Sequence, residues 1–101
     1  SDQTTEKESK RELRQSRAKE RQRLSELSDQ VKSIESDIEK QQAELASVEG
    51  LLADKGTYNR LPAQELSSLL ESSGRLREEL AQLEDTWLNV SRLLEKEEEG
   101  L

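Results

Sequence analysis

The sequence predicts an all-α chain folded as a two-helix antiparallel coiled-coil hairpin, and three observations carry that reading. Apolar residues recur at alternating steps of three and four along two long stretches, the seam spacing of a coiled coil. Helix-breaking residues lie between the stretches. The composition is 39% charged and 30% hydrophobic, with no Phe, Met, Cys or His, which is too little apolar volume for a layered globule.

The first stretch reads Leu24, Leu27, Val31, Ile34, Ile38, Leu45, Val48 and Leu52, with Gln41 in the one polar place. It predicts a helix over residues 10–53. Residues 1–9 are polar and hold no seam residue, so they are expected to form a flexible linker.

Residues 54–61 are expected to form the turn. Gly56 is placed to end the first helix in a left-handed conformation, and Pro62 suits the first turn of the next helix, where its missing N–H has no partner to lose. Tyr58 is expected to fold over Leu51 or Leu61 at the tip. Base stacking beside Lys55 and Arg60 is the functional alternative for it.

The return helix, residues 62–98, carries Leu66, Leu69, Ser73, Leu76, Leu80, Leu83, Trp87, Val90 and Leu94 at the same spacing. Folding back across the turn sets Leu52 against Leu66, Val48 against Leu69, Ile34 against Leu83 and Leu24 against Leu94. The polar members Gln41 and Ser73 then fall in different layers. Trp87 is expected to face Val31 as a core filler with its N–H at the seam edge. Gly50 and Gly74 fall on outward positions, where each weakens the helix without breaking the seam.

The net charge is −7, unevenly spread. Residues 7–23 hold eight cations (Lys7, Lys10, Arg11, Arg14, Arg17, Lys19, Arg21 and Arg23) against three acids, Glu8, Glu12 and Glu20. Residues 24–101 hold eight cations against eighteen acids. The basic stretch is the candidate nucleic-acid-binding site. Lys7, Lys10, Arg14, Arg17 and Arg21 recur at steps of three and four, so a helix lines them along one side, where they can track a phosphate backbone. The competing reading is electrostatic self-neutralisation. Extending the hairpin sets Arg23, Arg21 and Lys19 opposite Glu95, Glu97 and Glu99 of the acidic tail.

Other chemistry finds little support. The acidic clusters Glu78-Glu79 and Glu84-Asp85 read as solvated helix faces, with no His or Cys to assist them. There is no glycine-rich phosphate loop and no nucleophile–base pair, so the chain itself is expected to be non-enzymatic, without catalytic residues, metal site or cofactor. No apolar run approaches a membrane span and no cysteine points to an oxidising compartment, which makes the cytoplasm the expected location and a membrane partner unexpected. A monomer is the expected state.

Around the tip and the second helix the pattern becomes more particular. Leu51-Leu52-Ala53-Asp54, then Tyr58, Pro62, Leu80-Ala81-Gln82-Leu83-Glu84 and Trp87, resembles the C-terminal coiled-coil domain of ABC-F ATPases of the Uup type. Lys55 and Leu88 depart from it, standing where that family has a proline and a glutamate. The resemblance implies the tail of a longer ATP-binding protein acting on DNA or ribosomal RNA. ATP and magnesium would belong to cassettes outside this chain. Two alternatives stand beside it. The hairpin is similar in architecture to the tRNA-binding arms of seryl- and valyl-tRNA synthetases. It could also be a protein-interaction spacer that associates through Leu70, Leu88 and Leu93.

Overall fold

In the computed structural model, residues 2–100 are described and form helices α1 (Asp2–Ala53), α2 (Lys55–Arg60) and α3 (Ala63–Glu99), with no strand among them. The molecule is a rod of 86 × 19 × 14 Å. Its radius of gyration, 24.0 Å, is nearly twice the ~13 Å of a compact domain of this length.

The rod is held by α1 against α3. All eighteen seam positions, from Leu24 to Leu52 and from Leu66 to Leu94, are buried or half-buried, the polar Gln41 and Ser73 included. Among the described apolar residues only Leu27 and Leu76 are fully buried, because two helices shield each other on one side only. Ser73 is tolerated at 8% exposure because a serine is small and its hydroxyl can turn to local carbonyls. Gln41 instead reaches across the seam and donates from Nε2 to Glu79 Oε2 at 2.8 Å. Arg77 Nη2 contacts Glu49 Oε1, and Arg23 Nε contacts Glu97 Oε1 at 2.8 Å. Gly50 and Gly74 are exposed with open space around them, as outward positions require.

Three boundaries differ from expectation. The helix expected from Lys10 already begins at Asp2, so residues 2–9 are helical rather than a linker; Ser1 lies outside the described residues. The stretch has no Gly or Pro and carries Gln3, Glu6, Lys7 and Glu8, so elongation from the packed part continues through it once the nucleus exists. The turn, in turn, contains α2. Gly56 sits inside that short helix, and no described glycine has a positive φ. The chain is redirected by Asp54 in an extended conformation (φ −77°, ψ 119°), whose Oδ1 accepts from the Gly56 N–H at 3.0 Å and caps α2. Pro62 stands one place ahead of α3 as its N-cap, with φ −57° and ψ 149°.

The tip owes its compactness to Thr57, the most buried side chain described, at 1% exposure. Its Oγ1 has no hydrogen-bond partner. An orphaned buried hydroxyl destabilises, whereas an isosteric methyl in its place does not. Thr57→Val is therefore expected to raise stability by ~1 kcal/mol, read as a higher urea midpoint with an unchanged slope; a lower midpoint would mean that the hydroxyl has a partner in solution. Tyr58 and Leu51 remain about half exposed, so the tyrosine closes the tip only in part.

Candidate nucleic-acid interface

Every residue from Gln3 to Arg23 is exposed, and Leu24 is the first half-buried one. The cause lies in the relative lengths of the helices. Glu97, two residues before α3 ends, meets Arg23. Gly100 then caps α3, its N–H bonded to Glu98 and Lys96 carbonyls. The part of α1 before Glu20 consequently has no described neighbour beside it. It projects for ~27 Å, at ~1.5 Å per residue, as a single helix.

On that helix the cations are sorted. At ~100° per residue, Lys7, Lys10, Arg11, Arg14, Arg17 and Arg21 fall within a sector of about 120°. No acid enters the sector between Gln3 and Ser28. Glu8, Glu12 and Glu20 lie round the back, together with Lys19 and Arg23. The structure thus gathers six of the eight candidate residues and separates Lys19 and Arg23 from them. Arg11, off the row traced by steps of three and four, belongs to the sector once the whole turn is considered.

Neighbouring members such as Lys7 and Arg11, Lys10 and Arg14, or Arg17 and Arg21 are four residues apart, a like-charge spacing that disfavours the helix by a few tenths of a kcal/mol each. Among the described residues the ion pairs are Arg23–Glu97, Arg75–Glu79 and Arg77–Glu49, and none involves a sector cation. The self-neutralisation expected for the basic arm is therefore corrected. Arg23 pairs with Glu97 rather than Glu95, and Arg21 and Lys19 pair with no acid of the tail. The displacement needs no slip of the seam, since two residues of rise, ~3 Å, are within the reach of an arginine side chain.

The remaining candidates carry less. Trp87 is half-buried as a seam residue should be, but its Nε1 is itself buried and without a partner, rather than at the wet edge expected for it. A polar groove of about 850 Å³ runs beside the Gln41–Glu79 layer, lined by Asp37, Lys40, Glu44 and Arg75 among others. Among the described residues no group of three His, Cys, Asp or Glu side chains could hold a metal ion, and no helix is long and apolar enough to cross a membrane. Leu70, Leu88 and Leu93 are exposed, but Leu93 lies on a different side from Leu70 and Leu88, which are themselves five turns apart, so they form no continuous stripe. Protein-family models, curated proteins and solved structures were compared with the chain, and none matches it.

Proposed function

We propose that the chain is an antiparallel coiled-coil hairpin that binds nucleic acid through the cationic sector of α1, as the tail of an ABC-F type ATP-binding protein. The contacts that join Arg23 to Glu97, Gln41 to Glu79 and Glu49 to Arg77 support the opposed direction of the two helices. One observation carries the functional reading. Six cations share one face of a projecting helix, none with an ion-pair partner, in a chain whose net charge is otherwise strongly negative. A helix built for solubility alone interleaves its charges; this one concentrates like charges at a cost to itself, which an external polyanion removes.

In this reading the domain has no catalytic group, and it acts as a monomer in the cytoplasm on DNA or ribosomal RNA. ATP and magnesium are handled by cassettes elsewhere in the parent protein. The test is a titration of labelled nucleic acid at two salt concentrations. Six neutralised phosphates correspond to a slope of log K against log [salt] near −5 for a duplex, so binding should fall by roughly 10³-fold between 50 and 200 mM salt. Affinity indifferent to salt, or absent at 50 mM, would refute the assignment.

A further inference from the structure

We infer that the projecting part of α1 is a probe for the major groove of B-form DNA, entering it with the cationic sector foremost. This rests on the nucleic-acid reading above and narrows it to one class of target.

Width sets the first limit. Two helices packed side by side, with axes ~8–10 Å apart and each ~10–12 Å thick, are too broad for a major groove of ~12 Å. A single α-helix with its side chains is ~10–12 Å thick and fits. Only the stretch before Glu20, where α3 no longer runs alongside, meets that limit. Its ~27 Å length spans most of a helical turn of DNA. A-form RNA presents a deep, narrow major groove that side chains cannot read, so the same helix is shut out of it.

The chemistry of the sector agrees with the shape. Arg14 lies on its midline with Lys7 and Arg21 close beside, while Arg11 marks one edge and Arg17 the other. Within a groove, edge cations reach toward the two bordering phosphate strands. A midline arginine faces base edges, where its planar fork matches guanine O6 and N7. The acids Glu8, Glu12 and Glu20 are on the reverse side, away from the phosphates, and Glu6 lies just outside the sector, beside its Arg17 edge.

Single strands are poorly served. Sequence-tolerant single-strand binding uses aromatic platforms for the bases, and the projecting helix has none. The only aromatics are Trp87, half-buried in the seam, and Tyr58, at the tip beyond the far end of α1.

The experiment compares the full chain's affinity, by fluorescence anisotropy at 50 mM and 200 mM salt, for duplex DNA of about 20 base pairs, duplex RNA of the same sequence, the single DNA strand and heparin. Duplex DNA should bind at least about tenfold more tightly than each of the others, and bound protein should protect guanine N7, which lies in the major groove, from dimethyl sulfate. RNA duplex, single strand or heparin binding as tightly as duplex DNA would overturn the inference and leave the broader nucleic-acid reading in place for the first two. Tight duplex binding with N7 unprotected would equally overturn it, placing the helix on the outer backbone. Binding to none of the four would remove both readings together.

Discussion

Reversing Arg14, Arg17 and Arg21 to Glu is expected to weaken duplex binding by at least ~100-fold at 50 mM salt and to flatten its salt dependence by more than half. Three phosphate contacts are lost and three repulsions take their place, out of six available cations. None of the three side chains is buried or ion-paired, and none lies in the seam, so the helical circular dichroism and melting temperature should be unchanged. The matched control is Lys19→Glu with Arg23→Glu. These cations are on the reverse of the helix, and Arg23 already answers to Glu97, so the pair should cost only a few-fold. If the control weakens binding as much as the triple variant does, net charge rather than the sector governs affinity, and the proposed interface fails.

The largest stability effect should come from Leu76→Ala. Leu76 is 2% exposed, and it lines the same groove as Gln41 on the facing helix. Truncating a buried leucine costs ~2–5 kcal/mol, a large share of the stability of a domain this size. The midpoint of thermal unfolding should fall by ~10–25 °C. Leu70→Ala removes the same atoms from a side chain that is 52% exposed, and should shift stability by less than ~0.5 kcal/mol. Equal effects at the two positions would mean that the seam is not where the buried stripe lies.

Much of the fold was legible because its signal is long and redundant. Each seam position repeats the message of the one before, and every one from Leu24 to Leu52 and from Leu66 to Leu94 is shielded. What escaped is short or set by context. The six residues of α2 include Gly56 and Asn59, both weak helix formers, and offer less than two turns of periodicity. The usable signal was Asp54, a residue suited to open a helix, directly ahead of them. Thr57 carries no mark of its burial, because its shielding depends on where the chain returns rather than on its neighbours in sequence. Residues 2–9 lack a seam and so read as linker, yet helicity propagates from a packed segment without needing one.

The candidate interface divides in the same way. The cations and their spacing are plain in the sequence, and so is their placement along one side of a helix. Their freedom from the acidic tail is not. It depends on α3 ending beside Glu20, just past the Arg23–Glu97 pair, a relation between segments far apart in the chain.

The lopsided charge has a consequence for posture. The positive end and the negative shaft, residues 24–101, make the 86 Å rod an electric dipole along its own axis. Any polyanion attracts one end and repels the remainder wherever the shaft comes within ~10 Å of its surface. A polyanion therefore engages the molecule over its first helical turns, and the shaft runs on past the contact without adding to it. The half-exposed Leu51 and Tyr58 lie at the opposite end of the rod from the cationic sector.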